Sequence, residues 1–186
     1  ESAEVQTTNA FVVMLQGKSP EEIEPYFLRA IELNPNYATA QHWYSDFLRM
    51  VKKDYEKALY YGEAAYNLDP LSEIISMNLS NAYRAVNKLT DAEKMLKKVL
   101  ELNPNFFQAY ISLAYIYRMQ GQWEKAEEVG KKCVDLGKDD ANSWLDYAEI
   151  LLCRGNEADA LSAYERAIEI TPEAPIPLEL YAFAQY

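Results

Sequence analysis

Catalysis needs convergent reactive groups, and this sequence carries few. Its single histidine, His42, is the only imidazole available as general base or nitrogen ligand, so a Ser-His-Asp arrangement or a His-based metal site lacks partners. No GxGxxG, GxxxxGKS/T, HExxH or GxSxG string occurs. The acid pairs Glu21-Glu22, Glu127-Glu128 and Asp139-Asp140 are adjacent, which on a helix points them about 100° apart. They read as solvated faces or helix starts rather than as general acid and base. The residues therefore predict no catalytic group, no metal and no cofactor, and the expectation is a protein that is not an enzyme.

Charge and hydropathy narrow the remaining classes. Among 186 residues the balance is 18 basic to 29 acidic, a net −11, which repels phosphate backbones and anionic lipid and argues against direct nucleic-acid binding. Apolar residues make up 49%, enough for a packed core and too many for a disordered acidic tail. No stretch approaches the roughly 20 apolar residues of a membrane helix, so no membrane insertion is expected. The opening Glu1 to Gly17 lacks the basic leader and small-residue cleavage site of a signal peptide, and Glu1 in place of Met reads as the start of an excised segment. The cytoplasm is the expected compartment, or the periplasm if the parent is a membrane-bound regulator.

A helix-ending phrase recurs along the chain. It reads Ala30-Ile31-Glu32-Leu33-Asn34-Pro35, Tyr66-Asn67-Leu68-Asp69-Pro70, Val99-Leu100-Glu101-Leu102-Asn103-Pro104 and Ala167-Ile168-Glu169-Ile170-Thr171-Pro172. The prolines are 35, 34 and 68 residues apart, a period of 34 with one inserted residue in the first full unit. Ala58, Ala92, Ala126 and Ala160 fall twelve before the proline position, and Ser45, Ser80, Ala114 and Ala148 recur earlier. Small residues at fixed places in amphipathic runs let two helices cross closely. Gly121 and Gly155 fall at the turn between them, where a left-handed residue suits glycine.

These markers resemble the tetratricopeptide repeat, a 34-residue helix-turn-helix unit. The resemblance implies an all-α fold, a right-handed superhelical solenoid, with units at 36–70, 71–104, 105–138 and 139–172. Residues 1–35 read as a degenerate unit whose second helix, Pro20 to Leu33, is clear, and 173–186 as a partial repeat or capping helix. Gly62 and Gly130 stand where the family usually has Tyr or Phe. Either a neighbouring aromatic, Tyr61 or Trp144, fills each space, or the position has drifted. The same frame sets Cys133 and Cys153 roughly 12 Å apart at 1.5 Å per residue, beyond the about 7 Å that a disulfide spans. Two reduced, structural thiols are expected.

In this family the first helices line the concave side. At their inward positions the first full unit offers His42, Asp46 and Arg49, and the second offers Met77, Asn78, Asn81 and Arg84. The third presents Gln108, Ile111, Ser112, Tyr115 and Arg118, and the fourth Asn142, Leu145, Asp146, Glu149 and Leu152. Amides beside apolar groups suit an extended peptide, because an Asn side chain both donates to and accepts from a peptide bond. Arg49, Arg84 and Arg118 recur in register, either as a ligand-binding column or as partners of Asp46, Glu149 and helix ends. Family members that clamp acidic chaperone tails carry a Lys/Asn pair and, two units on, further cations. His42, Asp46, Gln108 and Ser112 occupy those places here, so that clamp is absent. Residues 36–138 are near neutral at +1, against −4 for 1–35 and −8 for 139–186, so an acidic peptide remains compatible with the middle of the groove.

Asn34-Pro35-Asn36-Tyr37-Ala38-Thr39-Ala40-Gln41-His42-Trp43-Tyr44-Ser45, with Leu68-Asp69-Pro70-Leu71-Ser72, is also similar to repeat segments of bacterial winged-helix transcriptional regulators and nucleotide cyclases. The expected function is a non-catalytic scaffold for a protein or peptide partner. The alternative is a signal- or ligand-sensing module of a bacterial transcriptional regulator. Self-association is expected through the aromatic end, Leu180, Tyr181, Phe183 and Tyr186.

Overall fold

A computed structural model describes residues 2–172, and the expected partial repeat at 173–186, with its self-association surface, lies outside them. Every described element is helical. The chain forms α1 (Ala3–Leu15), α2 (Pro20–Leu33), α3 (Ala38–Phe47), α4 (Tyr55–Leu68), α5 (Glu73–Ala85) and α6 (Leu89–Leu102) in a first compact unit that ends at Pro104. A second unit begins at Asn105 and holds α7 (Phe107–Met119), α8 (Trp123–Leu136), α9 (Ala141–Cys153) and α10 (Glu157–Ile170). Consecutive helices pair as α1/α2, α3/α4, α5/α6, α7/α8 and α9/α10.

The pairs form where the small residues predict. Ala58, Ala92, Ala126 and Ala160 have no exposed surface, and Ser45, Ser80, Ala114 and Ala148 are buried against them. The Ser45 hydroxyl donates to the Ala58 carbonyl and that of Ser80 to the Ala92 carbonyl, each tying a first helix to its second. Ser2, Asp54, Ser72 and Asp140 cap α1, α4, α5 and α9 by accepting from backbone N–H groups, and Ser19 with Glu22 forms a capping box on α2.

Residues 1–35 contain a complete helix pair rather than one clear helix. Ala10 is fully buried, and Gly17, seven residues on, takes positive φ, as do Gly121 seven after Ala114 and Gly155 seven after Ala148. Lys53 and Asn87 hold the same left-handed place without being glycine. From Ser80 to Asn87 the spacing is again seven, but from Ser45 to Lys53 it is eight. The inserted residue is absorbed between them by a π-helical turn, Leu48–Lys52, that extends α3. Such single wide turns are how a helix accommodates one extra residue. Glu24 on α2 steadies this segment by accepting from Tyr44 Oη at 2.8 Å and from Lys52 Nζ at 2.7 Å. Burial raises the Glu24 pKa, but these two bonds outweigh it and hold the carboxyl below its ordinary value.

The glycines inside helices correct one expectation. A Cβ on Gly130 would lie 2.9 Å from the Tyr147 ring and 3.2 Å from Ile150, and one on Gly62 would lie 3.2 Å from Ser45 Oγ and 3.4 Å from Leu79. Tyr61 and Trp144 are engaged elsewhere. Tyr61 packs edge-on against Tyr44, with ring centroids 4.6 Å apart, and the Trp144 indole donates to the Lys138 carbonyl. The space at Gly130 is filled from the next first helix, α9, and that at Gly62 by Ser45 of its own partner α3 together with Leu79 of the next first helix, α5.

Candidate functional site

In the first unit the first helices α1, α3 and α5 touch in succession. Their shared side carries the polar residues singled out in the sequence. Asp46 on α3 lies at the centre: Oδ1 accepts from Arg49 at 2.7 Å and Oδ2 from the Asn78 amide of α5, also at 2.7 Å. The same amide nitrogen lies 3.0 Å from His42 Nδ1 and 3.1 Å from Nε2. His42 is 7% exposed, and burial holds its pKa below 6.5 against the opposing pull of Asp46. One turn further along α5, Arg84 donates to Asn81 Oδ1 at 3.3 Å. Met77 is half-buried on the same helix. Asn78 and Ser80 also form a glycosylation sequon, and the structure places both in packed helix, with their side chains committed to His42, Asp46 and the Ala92 carbonyl.

Beside this polar row lies an apolar pocket of about 260 Å³. Phe11 and Met14 enter from α1, Trp43 and Phe47 from α3, and Met50 and Val51 from the π turn. His42 and Asp46 edge it and Phe27 contributes from α2. Phe11 meets Trp43 edge-on with centroids 4.9 Å apart. None of the apolar lining residues figured among the expected site residues. The spacing of seven from Ala10 to Gly17 marks α1 as a first helix, and that signal places Phe11 and Met14 in register with Asp46 of α3 and Arg49 of the π turn.

A second cleft of about 800 Å³ opens among α4, α5 and α6. Much of its charge is already engaged: Glu63 accepts from Tyr83 Oη at 2.9 Å, Lys97 pairs with Glu93 at 2.8 Å, and Lys98 sits on the Tyr66 phenol. Burial, with the Glu63 bond, pushes the Tyr83 phenol up to about 12.

In the second unit Arg118 of α7 donates to Asp146 at 3.0 Å and also to Glu149, both on α9. The arginine therefore ties two first helices together, the partner role foreseen as one of two readings. Burial raises the Asp146 pKa in spite of Arg118. Gln108 and Tyr115 are exposed on α7 and Ile111 is half-buried. Cys133 is buried and Cys153 exposed, both as free thiols. Cys153 is thus not a packing residue, because it ends α9 where the chain leaves the helix interface. Among the described residues no group of three or more His, Cys, Asp or Glu could hold a metal ion, and no helix is long and apolar enough to cross a membrane.

Comparison with known proteins agrees with this architecture. Three family models described as tetratricopeptide repeat match residues 76–103, 95–128 and 141–184. Protein O-mannosyl-transferase TMTC3 of Mus musculus is 26% identical over 159 residues, covering 77% of this chain and 17% of that protein. Anaphase-promoting complex subunit 7 of Dictyostelium discoideum is 24% identical over 165 residues, covering 87% of this chain and 27% of that one. The chain spans about a fifth of the length of the first of its curated relatives. Among solved structures, MamA superposes with a TM-score of 0.79 at 15% identity over 94% of this chain and 98% of that one. YrrB, described as a TPR protein with an unusual peptide-binding site, gives 0.74 at 19% identity over 97% and 90%. With paired helices, buried alanines every 34 residues and left-handed closures in register, the chain belongs to the tetratricopeptide repeat proteins.

Proposed function

We propose that the protein is a non-catalytic scaffold that receives a peptide or partner protein on the side of the first unit formed by α1, α3 and α5. The observation that carries this reading is the apolar pocket lying directly beside half-buried amides and guanidinium groups. An extended peptide needs that combination: apolar contact for a side chain, and groups that donate and accept for its backbone. Asn81 and the amide oxygen of Asn78, whose nitrogen is held by Asp46 and His42, are the backbone-reading candidates, with Met77, Arg49 and Arg84 beside them. In the second unit Gln108, Ile111 and Tyr115 offer further contact surface, while Arg118, Asp146 and Glu149 serve to join α7 to α9. The peptide-binding site described for YrrB, which shares the fold, favours the same use.

The test is hydrogen exchange with and without peptides selected on the immobilised chain. Slowed exchange in α1, α3 and α5, together with weaker binding by Asn78→Ala and Asn81→Ala, is the expected result. Protection confined to α2, α4 and α6 would move the site to the opposite side.

A further inference from the structure

A histidine stands at a buried place that the later first helices fill with apolar residues. In the repeat register His42 of α3 corresponds to Met77 of α5, Ile111 of α7 and Leu145 of α9. His42 is buried, so packing alone favours an apolar side chain there. Its neighbours give it a polar task instead. Asn78 of α5 donates to Asp46 Oδ2 at 2.7 Å, and because a carboxylate only accepts, that bond fixes which end of the amide points at α3. The same nitrogen lies 3.0 and 3.1 Å from the two ring nitrogens of His42. A point so close to both cannot lie in the ring plane, where it would collide with ring carbons, so the amide N–H rests on the imidazole face. A neutral imidazole accepts this contact as a weak hydrogen bond to its π-electrons.

We propose that His42, Asp46 and Asn78 form a proton-operated latch between α3 and α5: the neutral imidazole lets the Asn78 amide hold Asp46, and the imidazolium takes Asp46 for itself and releases the amide. Protonation reverses the role of the ring. Its face becomes positive and repels the amide N–H, and both ring nitrogens become donors. His42 and Asp46 stand four apart on α3, a spacing at which side chains of one helix meet, so the carboxylate is the acceptor the new donor finds first. Arg49 keeps Oδ1 at 2.7 Å and leaves Oδ2 as the oxygen that changes hands. Of the charged groups around the ring, Asp46 is the one that draws a proton to it. Arg49 is turned to that same carboxylate and Arg84 of α5 donates to Asn81, while α1 and α2 bring Phe11, Met14 and Phe27 to the pocket that His42 edges. Burial opposes the proton and holds the titration below pH 6.5. Once released, the Asn78 nitrogen is a donor on the side shared by α1, α3 and α5 that is withheld at neutral pH. The latch belongs to the free chain and stands or falls independently of what that side binds.

The experiment follows the isotope-labelled full chain by NMR from about pH 7.5 to about pH 5. Nuclear Overhauser contacts from the Asn78 amide protons to the His42 ring and the Asp46 methylene are expected at the upper pH. They are expected to disappear with the midpoint of the His42 titration, below 6.5. His42→Met installs the residue that Met77 supplies one repeat later, so it keeps an apolar group in the same place without a titrating one. In that variant the contact between Asn78 and Asp46 should persist unchanged over the whole range. A histidine with a merely structural role would titrate with the Asn78 contacts intact, and that result overturns the latch. So does an imidazole that stays neutral throughout, loss of the contact at the same pH in His42→Met, or unfolding of the whole chain before His42 titrates. Should His42→Met fail to fold, the titration of the parent decides by itself.

Discussion

Ser45 Oγ lies 2.6 Å from the carbonyl oxygen of Ala58, so a side chain of α3 is bonded to the backbone of α4 at their closest crossing. Ser80 repeats the bond to Ala92 at 3.1 Å. The third and fourth units have Ala114 and Ala148 at the same place and do without it. Ser45→Ala and Ser80→Ala should each destabilise by about 1 kcal/mol, the net worth of a hydrogen bond whose acceptor keeps its helical partner. Urea denaturation measures this, and an unchanged midpoint for both variants would show the bonds to be neutral.

Gly130→Ala should lose stability although alanine favours helix by about 1 kcal/mol, and Gly137→Ala, at the C-cap just beyond α8, should lose it as well. A Cβ at Gly137 would lie 2.5 Å from the Phe107 ring, and one at Gly130 2.9 Å from Tyr147. Overpacking of this kind costs roughly 1 to 3 kcal/mol. Thermal melts should rank Gly137→Ala below the parent. Phe107→Leu should restore part of the loss if the clash is the cause.

His42 makes stability fall as pH drops. Burial lowers its folded pKa below 6.5, so the unfolded chain takes up a proton that the folded chain resists. Its contribution is complete above pH 6.5, and is lost as pH falls from there toward the folded pKa. The imidazole is the only one in the chain, which makes its NMR titration unambiguous. A midpoint below 6.5 is expected, and His42→Gln should flatten the parent's decline in melting temperature between about pH 7 and 5. A midpoint above 6.5 would contradict the burial argument.

The two thiols should react unequally. Burial, aided by the charges of Asp146 and Asp140, pushes the Cys133 thiol up to about 12, whereas Cys153 is exposed. A thiol reagent at pH 8 should modify one group per native chain promptly and the second only after denaturation. The Cys153→Ser variant should then show no fast phase.

Much of the architecture was legible in the residues themselves. The 34-residue period, the small crossing residues and the Asn-Pro or Asp-Pro stops announce paired helices, because close crossing and helix termination are local demands with few chemical solutions. In residues 1–35 only the second helix stood out, because Ala10 and Gly17 repeat the spacing of seven but the other markers of a unit are degenerate there.

What the sequence alone determined is the period, the helix pairs and the single extra residue in the first full unit. Tertiary structure decided what that residue does. A count cannot distinguish a longer loop from a π turn, and only the packing of α3 on α1 and α2, with Lys52 and Tyr44 held by Glu24, selects the turn and brings Met50 beside Phe11. Tertiary structure likewise decided that Arg118 joins Asp146 and Glu149 while Arg49 shares Asp46 with Asn78. Recurrence in register fixes the place of a side chain on its helix, but its partner depends on which long side chains the neighbouring helix brings within a few ångströms.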